Sequence, residues 1–314
     1  MYQTVYEASL KRARHRVWIF SDLQQKEPAY AEECLRISME DFRDMGRPAD
    51  RIWYLGDCAE GKDRAKLDAM CRMQEQALLW TGLPVCAAMG NHDLDLERYG
   101  EHHGEEICIP FYDMAKRHPH WQVADTPQSP WFRSEVGGYA VYFFSDHVAA
   151  DRSWVTTHGQ IHGDESSYPF GELERLREIM AGETRPIITA SHYAFPGGSR
   201  PSPLLERLMP LPHGARIHFY GHAHIGDLSW AGNRPYQRIS WMEEQDVPQV
   251  NVSSFEHIRG LHCRSVFLHI YEDGGMGIFF RNHDKREFTE CYFPAKDKLP
   301  AREAPVYGAE RTKL

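Results

Sequence analysis

No apolar run in this 314-residue chain approaches the roughly 18 residues of a membrane span, so no membrane partner is expected. The first residues, Met1-Tyr-Gln-Thr-Val-Tyr-Glu7, lack the basic-then-apolar order of a secretory signal, and a cytoplasmic location is expected. Basic charge is in deficit: 36 Lys and Arg stand against 45 Asp and Glu, a net charge of −9. A nonspecific nucleic-acid binder would show a basic face, so no duplex nucleic acid is expected as a partner. A small anionic substrate stays open, because bound metal ions can supply local positive charge. Cysteine is sparse and odd in number, with seven copies, no CxxC pair and no zinc-ribbon spacing. These cysteines read as reduced thiols, several of them core filler. No internal repeat or low-complexity block occurs.

What is present is enough apolar residue, 42%, for a sizeable core, with an ordinary charged share of 26%. No clean domain boundary is visible. Residues 1–293 are expected to form one domain with loop insertions, and 294–314, rich in Pro, Ala and charge, a surface or disordered arm. Nothing in the sequence fixes an oligomeric state.

Arg16–Phe20, Arg51–Leu55 and Pro84–Met89 read as strands, alternating with helices over Pro28–Met45 and Asp63–Leu79. This βαβαβ opening predicts a layered α/β fold with parallel pairing at its start. Ile107–Lys116 and Phe170–Met180 read as further helices. Trp131–Arg133 and Gly138–Phe144 read as paired strands across a turn at Gly137-Gly138. Ile187–Ala190 and Ile217–Tyr220 are strands, and from Gln249 onward the chain is mostly strand, with Val250–Val252, Arg264–Tyr271, Gly277–Arg281 and Phe288–Phe293. Residues 146–170 form a long polar connection of the kind that is usually functional or mobile.

Chemistry-bearing residues gather where these strands end: Asp22-Leu-Gln24, Gly56-Asp57, Gly90-Asn-His-Asp93, Ser191-His192-Tyr193 and Gly221-His-Ala-His224. Strand ends are where α/β sheets place ligands. Asp, Asn and His suit divalent metals of intermediate hardness. Taken singly, each stretch has a plain reading: Asp22 as a cap, His192 as a loop histidine, His222 and His224 as a core pair. Five in order favour a metal centre. Asp57 is the natural bridging carboxylate for two cations, with the preceding glycine allowing a tight turn.

This order of motifs, from about Val17 to Phe280, resembles the calcineurin-like metallophosphoesterases. Their pattern is D-x-H, G-D, G-N-H-(D/E), an isolated H, then G-H-x-H. The resemblance implies a four-layer α/β/β/α sandwich and a two-metal site. It implies that Asp22 and His224 hold the first metal, that Asn91, His192 and His222 hold the second, and that Asp57 bridges. His92 would be the acid-base residue, and Asp93 would support its loop. One departure stands out: position 24 is Gln, where the family has His. A Gln oxygen is a neutral, weaker ligand than imidazole and shifts preference toward harder ions. Gln24 is kept as a candidate ligand, with His147 and His257 as loop histidines that could stand in for it. The expected cofactors are two divalent ions, Mn²⁺ or Fe²⁺, with Zn²⁺ as the alternative.

The expected function is hydrolysis of a small phosphorylated substrate, leaning to a phosphodiester, by metal-bridging hydroxide attack with His92 as general acid. Two alternatives are a phosphomonoesterase and a metal-binding scaffold weakened by Gln24. Arg259 and Arg264 are candidate phosphate clamps, though a surface ion pair is the commoner fate. Trp131, Trp154, Tyr168 and Phe195 are candidate stacking residues whose default is core packing. Cys58 reads as core filler. His102, His103, His118, His120, His158 and His162 read as solvated loop residues, and His147 as one that could face substrate.

Overall fold

A computed structural model describes residues 1–25, 27–58, 64–90, 93, 114, 116–123, 131–144, 156–157, 160–161, 170–202, 205–224, 237–257 and 262–294. Asn91, His92, His147, Arg259, most of 107–116 and of 146–170, and the arm from residue 295 lie outside the described residues. So do His102, His103, Trp154, His158, His162 and Tyr168.

In chain order the elements are α1 (Tyr2–Arg12), β1 (Ala13–Phe20), α2 (Pro28–Asp44), β2 (Arg51–Leu55), α3 (Arg64–Thr81), β3 (Val85–Ala88) and β4 (Trp121–Val123). Then come β5 (Trp131–Val136), β6 (Tyr139–Phe144), β7 (Thr156–Thr157), β8 (Gln160–Ile161), α4 (Phe170–Ala181), β9 (Ile187–Ser191) and β10 (Ala215–Tyr220). The chain continues with β11 (Ile239–Trp241), β12 (Pro248–Asn251), β13 (Arg264–Tyr271), β14 (Met276–Asn282) and β15 (Glu287–Tyr292). A 3-10 turn at Leu205–Leu208 lies between β9 and β10.

A seven-stranded sheet runs β15-β14-β13-β1-β2-β3-β4, and a six-stranded sheet runs β11-β12-β10-β9-β6-β5. β1, β2, β3 and β4 pair in parallel, as the βαβαβ opening predicts. β6, β9, β10 and β12 are likewise parallel. Among the described residues, β7 and β8 pair with each other as a separate two-stranded sheet.

Side chains alternate across a strand, and that period of two builds the layers. In β1, Val17 and Ile19 face the second sheet, where they join Trp53, Leu55, Val141, Phe143, Ile188, Phe219 and Val250. Trp18 and Phe20 face the other way, into a core shared with Tyr6 of α1, Phe42 of α2 and Met70 of α3. On the far face of the second sheet, Tyr142, Phe144 and Ile187 pack against Leu176 and Met180 of α4 and Leu205 and Leu208 of the 3-10 turn. The layers are therefore α/β/β/α, with both sheets covered as parallel sheets require.

Five elements escaped the sequence reading: α1, β4, β11 and the two-residue strands β7 and β8, which fall in the stretch read as a long connection. α1 fully buries Tyr6 and Ser9, with Tyr2, Val5 and Leu10 packed beside them, a short stripe broken by the serine. β4 and β11 have three residues each, too short for an alternation to register. Among the described residues no helix is long and apolar enough to cross a membrane. The six described cysteines are free thiols and buried.

Candidate metal centre

The ends of β1, β2, β9 and β10 converge, and three of the candidate ligands share one local conformation. Asp22, Asp57 and His222 each lie two residues beyond a strand and have φ of 60°, 55° and 59°. A left-handed backbone is uncommon outside glycine, with Asn, Asp and His the side chains that enter it most readily. Each such residue costs about 1–3 kcal/mol and persists where the surroundings enforce it. Here they do. The Asp22 amide donates to the Gly56 carbonyl at 2.9 Å, and the Gly221 amide donates to the His192 carbonyl at 3.0 Å. Ser21 Oγ donates to the Leu55 carbonyl at 2.9 Å. A Cβ on Gly221 would lie 2.6 Å from Asp22 Oδ2 and collide with Ser21, so only glycine lets β10 approach β1 this closely.

The candidate ligands among the described residues are brought together and buried: Asp22, Asp57 and His192 are fully inaccessible, and Gln24, His222 and His224 nearly so. Two triads form. Donor atoms of Asp57, His192 and His222 lie within 4.8 Å of one another, as do those of Asp22, Asp57 and His224. Asp57 is common to both. His192 Nε2 is 3.2 Å from Asp57 Oδ2, and its Nδ1 donates to the Leu55 carbonyl at 2.6 Å. That bond fixes the tautomer and leaves Nε2 for a metal. His224 Nε2 is 3.2 Å from Asp22 Oδ1 and 3.4 Å from Gln24 Nε2. A rotated Gln24 amide would present its oxygen on the same side. The His222 amide donates to Asp22 Oδ2 at 3.0 Å, while its ring Nδ1 is buried with no hydrogen-bond partner among the described residues.

The electrostatics suit cations. Burial pushes the Asp22 carboxyl up; His224 and His192 pull it back, and Asp57 adds to the rise. Burial opposes charge on the His192 ring, but the Asp57 carboxylate beside it prevails and lifts its pKa to about 9. Burial, with His192 and Arg200 adding to it, holds His222 well below its usual value and therefore neutral. Buried carboxylates that recruit a ring proton, and a neutral ring with an unmet nitrogen, are the donor set that divalent ions satisfy. The residues present fit a dinuclear divalent centre.

Two supports were not both foreseen. Asp93, expected to brace its loop, accepts from the amides of Asp57, Cys58 and Gly90 at 2.8, 2.7 and 2.8 Å. The Cys58 thiol donates to the same carboxylate at 2.7 Å, so it braces that carboxylate besides filling space. Glu256, fully buried, was missed; its Oε1 is 2.5 Å from His224 Nδ1. It belongs to no motif and lies five residues beyond the end of β12, so nothing in the sequence marked it. His257, the stand-in considered for Gln24, turns instead to Asp284 and Cys263. Arg264 is buried in β13 and Phe195 in the core. His118 is paired with Glu75.

The sequence profile of calcineurin-like phosphoesterases matches residues 15–226, more than half of the chain. The chain belongs to that family. Among solved structures it is similar to the purple acid phosphatase PPD1 from yellow lupin (Lupinus luteus) seeds, at 14% identity and a TM-score of 0.54, over 89% of this chain and 53% of that one. It thus spans about half the length of that phosphatase. It is also similar to TT1561 of Thermus thermophilus, at 14% identity and a TM-score of 0.48, over 89% of this chain and 98% of that one. A hypothetical protein from the same organism is similar at 16% identity and a TM-score of 0.44, over 85% and 99% of the two chains. No curated protein matches the sequence. At these identities the lupin structure speaks to the shared fold alone, and family membership accounts for the order of the strand-end motifs.

Proposed function

We propose that this chain is a dinuclear metal-dependent phosphoester hydrolase for a small organic phosphate, with a phosphodiester favoured over a monoester. The observation that carries the reading is the shared carboxylate: Asp57 belongs to both buried triads. Asp22, Gln24 and His224 would hold one ion, Asn91, His192 and His222 the other, and Asp57 both. When bound, two such ions lower the pKa of a shared water and neutralise charge on phosphoryl oxygens. The preference for Mn²⁺ or Fe²⁺ follows from oxygen-rich donors on the Gln24 side.

The chain's own residues do the rest. Leu55 and Glu256 orient the rings of His192 and His224, so that each presents Nε2 inward. Asp93 ties the backbone before His92 to the turn carrying Asp57. His92 protonates the leaving oxygen, a task that matters most for a poor, alkoxide-like leaving group. That dependence is the ground for favouring a diester. A metal-binding scaffold is the second reading, and Gln24 is the feature that favours it.

The test is His92→Ala. Metal content is expected to be unchanged, with turnover of a poor leaving group lost and that of p-nitrophenol esters partly kept. Loss of both metals in this variant would overturn the role given to His92.

A further inference from the structure

Outside this centre, Cys34 of α2, His257 after β12, Cys263 before β13 and Asp284 in the β14–β15 turn come together. We propose that these four side chains form a second metal site, for a soft divalent cation of which Zn²⁺ is the best match.

Geometry carries the assignment. The Sγ atoms of Cys34 and Cys263 and a ring nitrogen of His257 lie within 4.8 Å of one another. His257 Nε2 is 3.2 Å from Cys263 Sγ and 3.0 Å from Asp284 Oδ1. In a tetrahedral zinc site, bonds of about 2.3 Å to sulfur and about 2.0 Å to nitrogen or oxygen place neighbouring ligands about 3.3–3.8 Å apart. The cluster is already at nearly that spacing. Two sulfurs and a carboxylate oxygen converge on one ring nitrogen, while Cys263 Sγ also reaches the Phe255 carbonyl at 3.2 Å and Gln25 Nε2 reaches Cys34 Sγ at 3.6 Å. A cation at their centre would take all four donors at once.

Access and chemistry agree. Both thiols are fully buried, while the His257 and Asp284 side chains are 33% and 20% exposed, leaving an entry path from solvent. Hydrogen bonding from Cys263, with help from His257, pulls the Cys34 thiol down against its burial to about 6, while burial holds the Cys263 thiol well above its usual value until a cation displaces its proton. Thiolate is the form that binds metal. Binding sends the remaining thiol proton and any ring Nε2 proton to water. Two thiolates, a carboxylate and a neutral imidazole then surround the dication. Thiolate ligands select zinc over the harder ions suited to the candidate catalytic centre.

The site has a structural consequence. His257 directly follows Glu256, whose carboxylate holds His224. An ion on His257 would pin α2, the segment before β13 and the β14–β15 turn to one another, and with them the residue that orients His224.

Cobalt substitution tests the proposal. The holoprotein is stripped of metal and refilled with Co²⁺, and the near-ultraviolet spectrum is recorded. A thiolate-to-cobalt charge-transfer band is expected, because the Asp22, Asp57, His192, His222 and His224 set contains no sulfur. Cys263→Ser and His257→Asn should remove or shift that band and lower bound zinc by about one equivalent. No such band in the refilled wild-type protein would overturn the site, and this arm needs no variant to fold. A band unchanged in Cys263→Ser would overturn it too. So would a Cys34–Cys263 disulfide in protein purified anaerobically.

Discussion

The carboxylate of Glu256 lies 2.5 Å from Nδ1 of His224, and both residues are buried. The contact settles which end of the ring faces Asp22 and Gln24. It also fixes the tautomer and the aim of the imidazole, as a carboxylate on the far nitrogen of a ligating ring does. A glutamate this deep needs a reason, and the ring of a candidate ligand supplies it.

Glu256→Gln keeps the shape and removes the charge. Affinity for the ion on the Asp22, Gln24 and His224 side is expected to fall by about 10–100-fold, the usual cost of losing such a support. Competition with a chromogenic chelator measures it. Equal affinity in the variant would mean that Glu256 only fills space.

Gln24→His is expected to raise affinity at the same position, by replacing a neutral amide with imidazole, and to shift preference toward Zn²⁺. Isothermal titration with Mn²⁺ and Zn²⁺ reads both effects. Unchanged titrations would remove Gln24 from the ligand set.

Gly221→Ala places a methyl group 2.6 Å from Asp22 Oδ2 and against Ser21. The expected outcome is a loss of about 1–3 kcal/mol in denaturant unfolding, with reduced metal content. Gly182→Ala, whose added carbon meets nothing nearer than 3.6 Å, is the control and should leave metal content unchanged. Equal metal content in the two variants would contradict the close approach of β10 to β1 as the feature that sets the site.

Stability at low pH should depend on Asp41. Its carboxylate accepts from Arg281 Nε and Nη2 at 2.8 and 2.7 Å and lies 2.8 Å from His283 Nδ1. Burial would raise its pKa, but the hydrogen bonds from Arg281 and His283 outweigh that and bring it to about 2. A depressed folded value stabilises above the unfolded value of about 3.9, and the gain is lost as pH falls toward 2. Asp41→Ala is expected to cost about 3–5 kcal/mol at neutral pH, as breaking a buried pair does. The gap from wild type should narrow between about pH 4 and about pH 2. A gap independent of pH would contradict the ion pair.

Much of this was legible in the chain. Val17, Trp18, Ile19 and Phe20 were readable as a buried strand and the opening as a layered α/β fold, while the second sheet and the four layers came from the family resemblance. Asp22, Asp57, His192, His222 and His224 were legible because each ends an apolar run. Glu256 was not, since its partner comes from another strand end and no spacing links them. The Cys34–His257–Cys263 cluster was invisible for the same reason: its members lie on separate elements, and isolated cysteines read as filler. α1 was missed because its apolar face, Tyr2, Val5, Tyr6 and Leu10, is short and broken by Ser9.

Metal content by elemental analysis, paired with hydrolysis of bis(p-nitrophenyl) phosphate and p-nitrophenyl phosphate under Mn²⁺, Fe²⁺, Zn²⁺ and Mg²⁺, tests the central claim most directly. The account predicts two ions lost together from Asp57→Asn, and metal-dependent turnover by the wild-type protein that is faster on the diester. Turnover with no ion bound, or no turnover under any ion, would contradict it.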